Sequence, residues 1–144
     1  MATTTFSGPV VSNNGFITGP GSLVQITTAT TATNAANAGR LNLFNVAAGA
    51  IVTLPAATGS GNQYNFAVQT TVTSNNYVVQ VANATDVMAG RAIILQDAAD
   101  TLVGFETVAA SDTITLNGTT KGGTKGDTIY ITDIASGLFW CIAI

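Results

Sequence analysis

NGTTKGGTKGDTIYITDI, running from Asn117 to Ile134, admits two readings that lead to different folds. A phosphate-binding loop of the GxxxxGK[ST] kind follows a strand and opens a helix, so that backbone N–H groups, the Lys and the helix N-terminus converge on an anion. Gly118 and Gly123 have the right separation, but Thr124 stands where the Lys is required. The residues after the loop, TIYITDI, set Ile129 and Ile131 between Thr128, Tyr130 and Thr132, the period of two of a half-buried strand. The stretch therefore reads as a long glycine-rich hairpin loop, Asn117-Gly118 turning one end and Gly126-Asp127 the other. That choice commits the chain to an all-β fold.

Outward from this loop the same signal recurs. DTITLNG (112–118) precedes it as a strand, and LFWCIAI (138–144) is an apolar run too short for a typical helix, rich enough in aromatics for a buried strand. In QYNFAVQT (63–70), Tyr64, Phe66 and Val68 alternate with Asn65, Ala67 and Gln69, and Tyr77, Val79 and Val81 repeat the device after the turn SNN. LVQIT (23–27), LNLFNV (41–46), AIVTL (50–54) and LVGFETV (102–108) extend the set. TTATTATNAANAG reads as a loop with room for one helical turn. In DVMAGRAIILQDAAD (86–100) periodicity does not separate strand from helix, and a strand at Ala92 to Gln96 is expected. About ten short strands with turn signals every eight to twelve residues predict an antiparallel β-sandwich or barrel, jelly-roll-like in form. No repeat of fixed period and no second domain is visible.

Residues 1–22 contain Gly8-Pro9, Asn14-Gly15 and Gly19-Pro20-Gly21, punctuation too dense for a regular element. They are expected to form an extended N-terminal arm, with residues 23–144 as the β-domain. Between the breakers sit Phe6, Val10, Val11, Phe16 and Ile17, which either pack on the chain's own core or dock on a neighbour. Phe6, Val10, Phe16 and Ile17 are the candidate partner-binding residues.

Composition narrows the function. Only 8% of residues are charged against 47% hydrophobic, so the 24 Thr and many Asn must keep the surface wet. Net charge is −3, with Arg40, Arg91, Lys121 and Lys125 as the four basic residues. Capture of nucleic acid or an anionic membrane needs clustered cations, so neither partner is expected. His is absent and Cys141 is the single cysteine, which removes a disulfide framework and a His/Cys zinc site together. No secretory signal is expected, and VAAGAIVTLPAA and LFWCIAI are too short to span a bilayer. The sequons at Asn83 and Asn117 are read as chance.

Candidate catalysts fare no better. Asp86, Asp97, Asp100, Glu106, Asp112, Asp127 and Asp133 show no spacing that pairs two acids across a sugar, nor a calcium-loop pattern. Nucleophilic catalysis without histidine leaves only Ser111 or Ser136 with Lys121 or Lys125, and those lysines lie in the loop with least support. Trp140, Phe139, Tyr130 and Tyr64 are the aromatics that could stack on sugars, but Trp140 lies in the most apolar run and reads as core. No catalytic, cofactor-binding or metal-binding residue is expected.

Three stretches carry a resemblance. TFSGPVVSNNGFITGPGS (5–22) resembles the openings of tailed-bacteriophage virion proteins. VTLPAATGSGNQYNFAVQTTVTSNNYVVQVA (52–82) and GDTIYITDIASGLFWCIAI (126–144) resemble a pattern of small phage structural proteins, in which LP-x-A-TGSG leads into an alternating aromatic strand and the last hairpin carries a Trp. The resemblance, over about half the chain, implies a capsid decoration (cement) protein: a β-domain on the outer surface of the virion, binding the major capsid protein as a homo-oligomer, a trimer favoured. A tail or head-fibre component with a receptor- or glycan-binding β-domain is the alternative, and a carbohydrate-active enzyme the third reading.

Overall fold

A computed structural model describes residues 23–96 and 101–144. They form eleven strands and one short helix: β1 (Leu23–Ile26), β2 (Thr30–Thr31), α1 (Asn34–Asn37), β3 (Leu41–Phe44), β4 (Ala50–Thr53), β5 (Gln63–Val68), β6 (Tyr77–Gln80), β7 (Val87–Gln96), β8 (Thr101–Glu106), β9 (Thr113–Leu116), β10 (Thr128–Ala135) and β11 (Leu138–Ala143). The all-β expectation holds. The expected arm, with Phe6, Val10, Phe16 and Ile17, lies outside the described residues.

The strands make two mixed sheets, one in the order β1-β3-β5-β10-β11-β7-β8 and one in the order β2-β4-β6-β9. Through β6 the chain winds, each strand crossing to the other sheet and returning parallel to the strand two before it. Leu23 aligns with Leu41 and Leu41 with Asn65, returns of 18 and 24 residues. Thr30 aligns with Val52 and Val52 with Val79, returns of 22 and 27. The result is a three-turn coil, extended by antiparallel β10 beside β5 and β9 beside β6. The two-residue turn Ser136-Gly137 joins β10 to its antiparallel neighbour β11, with β7 parallel to β11 and β8 antiparallel to β7.

This corrects the antiparallel expectation: β1–β3, β3–β5, β2–β4, β4–β6 and β7–β11 are all parallel. A jelly roll is built from antiparallel pairs, and parallel returns stand in their place here. Among the described residues neither sheet closes on itself into a barrel. The Asn117–Asp127 segment is also not a hairpin loop, because β9 and β10 belong to different sheets and the segment crosses between them. The ambiguous region from Asp86 is a strand from Val87 onward. β2 and α1 occupy the low-complexity loop.

Period-two alternation builds one core from both sheets. Tyr64, Phe66 and Val68 of β5, Ile129 and Ile131 of β10, and Phe139, Cys141 and Ala143 of β11 meet Val52, Tyr77 and Val79 of the smaller sheet. Phe44 stacks on Tyr77 with ring centroids 4.4 Å apart and on Phe66 at 5.6 Å. Each such aromatic stabilises the fold by about 1.5–3 kcal/mol through the area it removes from water. The Tyr77 hydroxyl reaches the carbonyls of Val46 and Thr70, each at 2.7 Å, and ties two loops to the core.

Polar groups taken inside are paired. Thr33 caps α1 by accepting the Ala36 N–H at 3.1 Å. Buried Asn37 donates to Asn42 Oδ1 at 2.7 Å, and the Asn42 amide donates to the carbonyls of Asn37, Arg40 and Asn65. Among the described residues no buried side-chain nitrogen or oxygen lacks a partner. One glycine is obligatory for sheet assembly, since a Cβ on Gly90 would stand 1.8 Å from the Cys141 carbonyl oxygen on the neighbouring strand.

Candidate functional site

The lysine-bearing loop has its donors already committed. Asn117 Oδ1 accepts the N–H groups of Thr119, Thr120 and Lys121 at 2.9–3.1 Å. Asp127 Oδ2 accepts those of Gly123 and Thr124 at 2.7 and 3.0 Å. Gly118 has φ of 77°, and a Cβ there would meet the Val72 carbonyl oxygen at 2.0 Å. Each feature shapes a connection between sheets. The amides that would cradle phosphate are used inside the loop, and the next element is a strand, not a helix.

The carboxylates serve in the same way. Asp133 sits 3% exposed and accepts from Thr58 N–H and Oγ1, Gly59 N–H, and Ser60 N–H and Oγ, at 2.7–3.1 Å. Burial alone would raise its pKa, but hydrogen bonds from Ser60, Thr58 and Gly59 outweigh burial and lower it from 3.8 to about 2. Asp86 accepts the Ala57 N–H at 2.8 Å and the Asn83 amide at 2.9 Å. Asp112 takes the Thr113 hydroxyl at 2.9 Å. Asp97 and Asp100 lie outside the described residues. Among the described residues no cluster of three or more His, Cys, Asp or Glu could hold a metal. Burial pushes the Cys141 thiol pKa up, and the side chain belongs to the core as expected.

Trp140 overturns its reading as core. In LFWCIAI the strand alternates, Phe139, Cys141 and Ala143 inward and Leu138, Trp140 and Ile142 outward. Trp140 is 43% exposed and Tyr130 of β10 is 42% exposed. Tyr130 pairs with Ile142 and Trp140 with Thr132, so the two rings are diagonal neighbours on one face. Hydropathy averages over the two sides of a strand, and only the alternation separates them.

These rings lie on the outer face of the seven-stranded sheet, where apolar and polar residues mix. One row of aligned residues runs Leu23, Leu41, Asn65, Tyr130, Ile142 and Arg91. Next to it Ile93 and Leu95 of β7 stand beside Gly104 and Leu102 of β8. Leu95 is 73% and Leu102 67% exposed. Arg91 and Glu106, paired in register, are the charged residues of β7 and β8 on that side. Single exposed apolar residues are ordinary, but several lie near one another here, interrupted by Asn65, Thr132 and Arg91.

At the β8 edge the sheets part around a cleft of about 270 Å³. Met88, Ile94, Phe105, Ile114, Leu116 and Cys141 supply apolar walls, and Arg91, Glu106 and Lys121 also line it. Gly122 brings the lysine loop alongside, its Cβ position 3.4 Å from Ile94 and Leu116 side-chain carbons. β8 and β9 are the edge strands of their sheets, so two strand edges flank the opening. Sequence reasoning missed both surfaces, although the alternation in RAIILQ and LFWCIAI held the signal for the face.

No family model matches the chain, and no match to a curated protein or to a solved structure was found.

Proposed function

We propose that this chain is a non-enzymatic structural protein that binds the outer surface of an icosahedral phage capsid and stabilises it, as its resemblance to virion proteins implies. The observation that carries the proposal is the group of exposed apolar residues on the outer face, Trp140, Tyr130, Leu95 and Leu102. Tyr and Trp are enriched where proteins meet, because a rigid ring offers large contact area at low entropic cost. In this reading the two sheets pack as an open sandwich whose smaller sheet supports the larger one from behind. Phe6, Val10, Phe16 and Ile17 add contacts to a neighbouring chain. A ligand that binds the assembled lattice and not its separated subunits stabilises assembly by its binding free energy. Many copies on one lattice raise effective concentration, so a modest contact per copy suffices.

Co-sedimentation with empty capsids tests this. Trp140→Ser should weaken attachment at least tenfold while the circular dichroism stays that of the folded β-domain, and deletion of residues 1–22 should weaken it with the domain still folded. Wild-type attachment by Trp140→Ser would remove the face from the mechanism.

One observation favours a second reading. The diagonal Tyr130–Trp140 pair is a platform on which a sugar ring can stack, as a tail or head-fibre component recognising a host glycan requires. Binding of the isolated chain to cells or glycans, with none to capsids, selects this reading.

A further inference from the structure

We infer that Asn117-Gly118 is a latent modification site, closed while the Asn117–Asp127 loop is folded and opened to succinimide chemistry when that loop comes apart. In this reaction the backbone nitrogen of the residue after Asn gives up its proton and attacks the side-chain Cγ. A C–N bond forms and Nδ2 leaves as ammonia. Water then opens the ring at either carbonyl, giving Asp or isoaspartate. Asn is a thermolabile residue, and a following Gly, with no Cβ to crowd the ring, removes the main hindrance. By sequence alone the site should age quickly.

The electrophile is ready in the folded loop. Asn117 Oδ1 accepts the N–H groups of Thr119, Thr120 and Lys121 at 2.9–3.1 Å, and such donors stabilise negative charge developing on that oxygen. Left to that effect alone, folding would speed the reaction. The nucleophile is what the fold withholds. Gly118 N–H donates to the Gly122 carbonyl at 2.6 Å, so a deprotonated nitrogen would lose this bond and face the lone pairs of an oxygen instead. Gly118 cannot turn away, since its φ is 77° and the Val72 carbonyl oxygen lies 2.0 Å from where a Cβ would stand. The leaving nitrogen is held too, Nδ2 donating to Thr120 Oγ1 at 2.9 Å. Attack needs the deprotonated amide first, so the withheld proton outweighs the polarised carbonyl.

Freeing Gly118 means opening the loop as a unit. Val72 N–H donates to the Gly123 carbonyl at 3.0 Å, Gly126 N–H to the Val68 carbonyl at 2.9 Å, and Lys125 N–H to Thr71 Oγ1 at 3.0 Å. Asp127 Oδ2 clamps Gly123 and Thr124 at the far end. Conversion at Asn117 therefore reports this local opening. The product sets whether the opening can be undone. Asp keeps an oxygen where Asn117 Oδ1 sits, whereas isoaspartate routes the main chain through Cβ and leaves the three amides without their acceptor.

The purified chain is aged in mildly alkaline buffer, native and in urea, and read by mass spectrometry. The tryptic peptide 92–121 contains Asn117 as its single Asn and separates it from Asn14-Gly15. Conversion in the native chain should be at least tenfold slower than in urea, a barrier difference of about 1.4 kcal/mol. Asp127→Ser, which removes the far clamp, should narrow that gap severalfold while the circular dichroism stays that of wild type. Thr124→Val, which removes only a hydroxyl donated to Asp127, is the milder variant should the first misfold. Chain aged in urea and then refolded should return a native fraction depleted of isoaspartate at position 117. Native conversion as fast as in urea or faster, a native rate that the folded variant leaves unchanged, or a refolded fraction as rich in isoaspartate as the urea pool would each overturn the assignment.

Discussion

Replacing Asp133 by Asn removes one charge and keeps the shape, and the consequence can be worked from the geometry. Five donors on Thr58, Gly59 and Ser60 converge on the carboxylate, which lowers its pKa from 3.8 to about 2. At 1.36 kcal/mol per pKa unit this is a preference of about 2.5 kcal/mol for the charged form. The donating loop is itself exposed, so solvent screening reduces the figure, and about 2 kcal/mol of folding stability at pH 7 is expected. A group with depressed folded pKa stabilises above its unfolded pKa. Its contribution is therefore complete at neutral pH and fades as pH falls from about 4 through 2. Urea unfolding of wild type and Asp133→Asn should show a gap of about 2 kcal/mol at pH 7 that narrows toward nothing near pH 2, where the protonated acid resembles the amide. Equal midpoints at pH 7, or a gap unchanged at pH 2, would refute the claim that charge holds this loop.

Gly90→Ala should cost more than about 3 kcal/mol or prevent soluble expression, because the new methyl meets Cys141 backbone at 1.8 Å and must force β7 from β11. Gly104→Ala, with nothing within 4 Å of its Cβ position, should leave the melting temperature unchanged or higher. Tyr77→Phe keeps the stack on Phe44 and loses the hydroxyl bridge to Val46 and Thr70, a loss of about 1–2 kcal/mol in chemical denaturation with the sheets intact.

Strand identity was legible wherever one face of a strand is buried and the other wet. QYNFAVQT and TIYITDI show this alternation in their letters because Asn, Gln and Thr separate the core residues. In LFWCIAI both faces are apolar, so the run reads as buried throughout although Trp140 is exposed. What could not be read was pairing. Parallel returns of 18, 24, 22 and 27 residues have no common period, so a coil leaves no repeat in the sequence, and short strands joined by turns look antiparallel by default. The motifs were legible without their physics. The TGSG motif and the Asp of TDI lie about 75 residues apart, yet Asp133 gathers Thr58, Gly59 and Ser60, so two motifs noticed separately form one clamp. Trapping that loop is a structural role for Asp133.

The winding also explains why the ends of this molecule differ. A coil that adds each strand beside the one two before it grows in one direction, so its first turn and its last cannot be equivalent. At the start, β1 and β2 are short, and the core beneath them is closed by Ile26 and Ala32, both almost fully buried. At the far side β7 is the longest strand, and with β8 it stands away from β9, leaving the cleft between them.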